Sequence, residues 1–200
     1  MATPEGQARN EEVFRTAAEM MVQKGYGGTS VGDIAKAVGM TKAGLYHHIS
    51  SKQDMLFQIM KFAMDSVETV IVSPTRVIVD PEERLREIVR RHARGIIEGG
   101  PAIPVLMSEI NHLEPIQRKE ITRRIKAYRN YVMKALKELE ADGRLHPQDI
   151  RITIRHIMRT IVGIAYWYPP DFRTNADQVI EETVNFILRA VIKPGGSKKS

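Results

Sequence analysis

The 200-residue sequence predicts an all-α protein. Apolar residues recur at helical spacing through most of the chain, helix start and stop signals punctuate it, and no strand-like alternation of any length appears. No fixed-period repeat is present either.

The first helix is expected over residues 11–24, with Val13, Ala17, Met20 and Met21 on one stripe and with Gly25, Gly27 and Gly28 as its stop. Ser30 and Asp33 then form a capping box for a short helix whose apolar positions Ile34, Ala35 and Val38 share a face. Gly39 supplies the left-handed backbone that commonly ends a helix, and Thr41 caps a second short helix through Lys42, Gly44, Tyr46 and His48. Two short helices so tightly joined cannot bury themselves alone. The first helix completes a three-helix module of the helix-turn-helix kind, whose second paired helix lies in the major groove of DNA with its N-terminal residues over base edges. Lys42 and His47 are therefore candidate base or phosphate contacts.

Downstream, Ser50 and Gln53 suggest a capping box for a long helix through Met55, Leu56, Ile59, Met60 and Ala63 toward Val72, closed by Ser73-Pro74. Asp80-Pro81-Glu82-Glu83 is a strong helix start, with a cap, a proline at the first position and acids against the helix dipole. That helix carries Leu85, Ile88, Val89 and Ile96 on one side and Arg84, Arg90, Arg91 and Arg94 on others, and Gly99-Gly100-Pro101 breaks it. A short helix follows over 102–113. Pro115 begins a long basic helix that runs to Gly143, 147–168 is helical until Pro169-Pro170, and 175–193 is the last helix. The tail 194–200 is expected to be disordered.

The run T-K-A-G-L-Y-H-H-I-x-S-K-x-D-x-L, from Thr41 to Leu56, resembles the DNA-binding signature of the TetR family of one-component transcription regulators. The resemblance covers the first quarter of the chain. It implies an N-terminal reader over 8–50 and a helical ligand-binding and dimerisation body over 51–193. It also implies phosphate contacts from Thr29, Tyr46 and Lys52 and groove contacts from Thr41, Lys42 and His47, while His48 matches a histidine that packs. Ile49 stands where the family more often has Phe, and Gln53 where it often has an acid.

A composition of 42% hydrophobic and 27% charged residues is that of an ordinary globular protein. Without cysteine there is no disulfide, thiolate metal site or cysteine nucleophile, which suits a reducing cytoplasm. The first residues have no apolar core for a signal peptide, and no run is long enough to span a bilayer, so no membrane association is expected. The net charge of +6 favours a polyanionic partner. Its distribution matters more than its sum, because the first 56 residues are formally neutral and Lys36, Lys42 and Lys52 cluster at the helix pair while most acids precede it.

The last two helices are the dimerisation candidates. Ile150, Ile154, Ile157, Ile161 and Ile164, with Val179, Val184, Ile187 and Val191, supply apolar faces, and Gly163 and Ala165 permit close approach. The plainer reading packs both helices inside one subunit. Pairing is favoured because a reader gains affinity and a defined half-site spacing when a two-fold mate is fixed about one DNA turn away.

Met107, Asn111, Tyr128, Tyr131, His156, Arg159, Trp167 and Tyr168 are polar or aromatic residues within apolar helices, the mixture expected around a mostly apolar ligand. Arg159 either meets a ligand carboxylate or phosphate or forms an ion pair with Glu109 or Glu182. The basic helix carries Arg118, Lys119, Arg123, Arg124, Lys126, Arg129, Lys134 and Lys137 against three acids, either as a solvated face or as a dock for a phosphate-rich effector. With its SEINHLEP segment the body is diffusely similar to TetR-family regulators of lipid or acyl-coenzyme A catabolism, which implies an acyl-coenzyme A effector.

Glu109 and His112 make one E-x-x-H, but a di-iron bundle needs two, so no metal or cofactor is expected. There is no G-x-S-x-G elbow, no H-E-x-x-H, and Gly44 is followed by Leu45 rather than the lysine of a phosphate loop. Catalysis is not expected. The reading is a homodimeric regulator, a repressor released by a small molecule, that binds a palindromic double-stranded operator. The alternatives are a DNA-binding adaptor without small-molecule input and, further off, a small-molecule-binding enzyme.

Overall fold

The computed structural model describes residues 4–98, 100–168 and 175–194. Gly99, the Pro169-Pro170 stop and the tail beyond Pro194 lie outside the described residues. Helices follow one another as α1 (Pro4–Gly28), α2 (Val31–Ala37), α3 (Lys42–Tyr46) and α4 (Lys52–Ser66), then a π-helical turn (Val67–Val72) that leads into α5 (Ser73–Thr75). After these come α6 (Pro81–Glu98), α7 (Ala102–Ser108) with a 3₁₀ turn (Ile110–His112), α8 (Pro115–Ala141), α9 (Ile150–Trp167) and α10 (Ala176–Val191). Among the described residues there is no strand, only an isolated antiparallel bridge between Leu145 and Ile192.

The chain forms two units by internal packing, Met1–Asp65 with Gly99–Arg124, and Ser66–Glu98 with Ile125–Ser200. In the first, α1 starts seven residues earlier than its apolar stripe suggests. Arg9 accounts for part of this extension, because its guanidinium donates to the Val38 carbonyl at 2.6 Å and pairs with Glu12. It thereby satisfies a carbonyl just past the end of α2. Gly25 interrupts α1 with φ of 72°, a left-handed conformation that glycine adopts without strain. Val13, Ala17, Ala18, Met21, Ile34, Leu45, Met55 and Leu56 form the buried core.

The cap of α4 sits one residue later than expected. Ser51 accepts the Asp54 N–H at 3.0 Å, while the Asp54 carboxylate accepts the Ser50 N–H at 2.9 Å. A carboxylate at the third helical position is drawn to the positive helix end, so Asp54 rather than Gln53 sets the register.

In the second unit the expected closure at Ser73-Pro74 does not occur, since helical structure continues through Thr75. Proline brings no N–H, which in α-helical register leaves the Val70 carbonyl without its donor. Arg91 replaces it, donating to that oxygen at 3.2 Å. Leu85, Ile88, Val89 and Ala93 of α6 are buried, α6 packs against α9 and α10, which bury Ile154, Ile161, Ile180 and Val184, and Val132, Leu136 and Leu139 of α8 are buried as well. The α6 arginines engage acids at its margin: Arg84 with Glu138, Arg90 with Glu87 and Glu181, and Arg94 with Glu98 and Asp177.

Candidate nucleic-acid interface

The helix pair is built almost entirely by local bonds. The Asp33 N–H donates to Ser30 Oγ at 3.0 Å, and the Asp33 carboxylate accepts both the Ser30 N–H at 3.2 Å and its hydroxyl at 2.6 Å. These bonds hold the Asp33 carboxyl below its ordinary range. Gly39 has φ of 65° and turns the chain toward α3. The Gly44 N–H donates to Thr41 Oγ1 at 3.0 Å, and a Cβ at Gly44 would lie 3.1 Å from that oxygen, so a larger residue crowds the cap. Leu45 and Ile49 point into the core, with Ile49 filling the place where an aromatic was the commoner expectation.

With Leu45 inward, the rest of α3 faces solvent. Thr41, Lys42 and His47 are exposed, as is Tyr46 at 46%. His48, expected to pack, is exposed as well. Lys52 is half-buried at the start of α4, with its Nζ 4.1 Å from the centroid of the Tyr26 ring. Thr29 differs from this group. It is 1% exposed, and its hydroxyl donates to the Gly25 carbonyl at 3.0 Å, so the free protein uses it to close the turn between α1 and α2.

The eight residues expected around a ligand divide between the two units. Met107 and Asn111 are exposed residues of the first unit. In the second, Tyr128 is buried with its hydroxyl 3.0 Å from His92 Nδ1, and Tyr131 reaches the Thr75 hydroxyl at 2.9 Å. His156, Arg159 and Trp167 instead stand exposed on α9, and the Trp167 ring meets Tyr168 edge-on at 6.3 Å. The ion pair of Arg159 with Glu182 does not form among the described residues, and Glu109 engages His112 at 3.0 Å.

The isoleucine stripe of α9 and the valine side of α10 are packed within the subunit. A second, outward face is carried by Ile152, Tyr166 (71% exposed), Trp167 (50%) and Phe186 (65%). Beside them runs a groove of about 350 Å³ lined by Thr160, Trp167, Gln178, Glu182 and Phe186 among others. The sequence pattern missed this face because the inward stripe is longer and more regular. Its available signal was an aromatic residue, Phe186, one position away from Ile187 of that stripe.

A long helix followed by two short ones with caps at both ends of their turn, and a polar outward face on the third, define a helix-turn-helix protein with a helical body. Family models described as "Bacterial regulatory proteins, tetR family" and "Tetracyclin repressor-like, C-terminal domain" match residues 13–59 and 79–191. The chain belongs to the TetR family of transcription regulators. It is 26% identical over 193 residues to the HTH-type transcriptional repressor KstR2 of Mycolicibacterium smegmatis, covering 96% of this chain and 94% of that protein. The crystal structure of AibR in complex with isovaleryl coenzyme A and operator DNA is similar at 32% identity, with a TM-score of 0.82 over 89% of this chain and 97% of AibR. The ketosteroid transcriptional regulator KstR2 of Mycobacterium tuberculosis, at 24% identity, shares the fold with a TM-score of 0.86 over 96% and 100% of the two chains.

Proposed function

We propose that the protein is a homodimeric repressor that binds a roughly palindromic operator and is released by a small-molecule effector. The observation that carries this reading is the exposed set Thr41, Lys42, Tyr46 and His47 on a capped α3, with Lys52 at the start of the next helix. Lys42 and His47 contact base edges or phosphates, Tyr46 and Lys52 contact phosphates, and Thr29 fixes the turn that aligns them. The division of labour is a reader over 8–50 and a ligand-binding and dimerisation body over 51–193. The outward face with Ile152, Tyr166, Trp167 and Phe186 pairs with its two-fold copy, placing the readers about one helical turn of DNA apart.

The effector is an acyl-coenzyme A thioester. AibR, whose structure holds isovaleryl coenzyme A and operator DNA, supports that class, and the exposed bases of α8, Lys126 with the half-buried Arg129, suit its phosphates. Binding of the effector favours one arrangement of the body and lowers operator affinity. A second reading, a DNA-binding adaptor without small-molecule input, is favoured by one observation: the polar groups Tyr128 and His92, and Tyr131 and Thr75, already satisfy one another.

The operator is recovered by selecting bound fragments from genomic DNA, and its affinity is then followed by fluorescence anisotropy over a salt series. Lys52→Ala is expected to weaken every sequence alike and to reduce the salt slope by about one, while Lys42→Ala and His47→Ala also change base preference. Unchanged affinity in all three variants refutes the reader. Isovaleryl coenzyme A should raise the thermal midpoint and release the operator, and no response to any acyl-coenzyme A leaves the adaptor reading in possession.

A further inference from the structure

Tyr26 lies in the glycine-flanked end of α1, where the sequence offers only a helix stop. The structure gives it two neighbours of different origin. The Lys52 ammonium sits 4.1 Å from the ring centroid, and the imidazole of His112 stacks on the same ring at 4.7 Å between centroids and 27° between planes. His112 is the last residue of the 3₁₀ turn that follows α7, and it is held in turn by Glu109, whose carboxylate lies 3.0 Å from Nδ1. Glu109 itself is largely covered, with 13% of its side chain exposed. All four residues belong to one unit, in which α7 packs on α1.

Each contact has a definite physical effect. A lysine side chain is long and carries much rotamer freedom, so an ammonium that must meet a phosphate loses entropy on binding unless it is already placed. The face of a tyrosine ring attracts a cation and supplies such a seat. The ammonium has three N–H donors, so resting against the ring leaves donors for a phosphate oxygen. The ring must itself be fixed, and Tyr26 is buried, with His112 covering part of it.

We propose that Tyr26 and His112 are positioning residues for operator binding: the Tyr26 ring seats the Lys52 ammonium for a phosphate, and His112, anchored by Glu109, fixes that ring. The proposal rests on the reading of Lys52 as a phosphate contact. It makes the turn after α7 a place from which DNA affinity is adjusted, since a displacement of residues 109–112 unseats the lysine without touching α3.

The test is a double-mutant cycle on the full chain, with operator affinity measured by anisotropy and the Lys52 ε-methylene resonance by NMR. His112 is half-exposed, so His112→Ala leaves the core intact, whereas Tyr26→Leu alters a buried position and Tyr26→Phe keeps the ring. Tyr26→Leu is expected to weaken binding about two- to fivefold, the lower range of a cation–π pair. His112→Ala weakens it about twofold, and Tyr26→Phe leaves it near the parent value. Neither Tyr26→Leu nor His112→Ala adds to Lys52→Ala. The ε-methylene protons should resonate upfield in the parent, shifted by the ring current, and move toward the random-coil position in His112→Ala. A His112→Ala effect that persists in full beside Lys52→Ala, or a Lys52 resonance indifferent to His112, overturns the positioning proposal. Parent affinity and salt slope in Lys52→Ala alone overturn the phosphate contact, and the proposal with it.

Discussion

In the α2–α3 pair each capping bond closes over three residues, from Ser30 to Asp33 and from Thr41 to Gly44. The helical body has local caps too, such as Asp80 with Glu82 and Glu83, but it adds polar bonds between residues far apart: His92 with Tyr128 across 36 positions, Arg84 with Glu138 across 54, Arg144 with Asp80 across 64, and Arg90 with Glu181 across 91. The α2–α3 pair is thus held mainly by bonds between neighbours in sequence, while the body adds bonds between partners that meet only once the whole unit has folded. Local bonds fix the geometry of a small surface, while distant ones tie the order of one helix to that of another. Damage to the two kinds should therefore spread differently.

The largest effect expected from this contrast is a response to acid in the body. Burial pushes His92 down to about 4 from an ordinary 6.5. Between those values the unfolded chain holds a proton that the folded chain lacks, so stability falls as pH drops through that window, by up to about 3 kcal/mol. A thermal denaturation series from pH 7 to 4 should show that decline, and His92→Gln, which keeps an acceptor for Tyr128, should flatten it. An unchanged slope in the variant removes His92 as its cause.

Arg144→Met comes next. The arginine binds Asp80 at 2.8 Å and also pairs with Glu82, holding the Asp80 carboxyl below its usual range, and its side chain is 13% exposed. Removing it strands two partly covered carboxylates and should cost about 2 kcal/mol at neutral pH, seen as one lowered cooperative transition in the body. The Asp80 contribution is present above its unfolded value and is lost as pH falls through its folded one, so the variant and the parent should converge in strong acid.

Ser30→Ala should have the smallest effect, about 1 kcal/mol. Its mark is localisation. Amide exchange should quicken in α2 while protection in α6 and α8 stays as it was, and spread of the effect to those helices would refute the contrast.

The same difference in range explains what the sequence disclosed. Caps at Ser30 and Thr41, the turn at Gly39 and the start at Asp80-Pro81 are written in adjacent residues, and the structure places them where the pattern puts them. The α4 cap was misplaced by one residue because Ser50 and Ser51 offer equivalent hydroxyls, and only the Asp54 carboxylate decides between them. Pro74 suggested a helix end because nothing nearby indicates that Arg91 would serve the stranded Val70 carbonyl. Tyr128 and Tyr131 turn out to be engaged within the protein for a related reason: polar residues on apolar helices mark a departure from pattern, but their partners, His92 for Tyr128 and Thr75 for Tyr131, come from other helices. Tyr26 and His112 had no legible link at all, being 86 positions apart by number and joined only through the packing of α7 on α1.

The two-sidedness of α9 has an outcome beyond this molecule. Ile154, Ile157 and Ile161 fill the interior, whereas Ile152 and Trp167 on the same helix, with Phe186 beside them, look outward. The outward set fills no part of that interior, so it diverges more freely than the isoleucines do. On the proposed pairing through this face, changes confined to that set let several such regulators share one cell without forming mixed pairs.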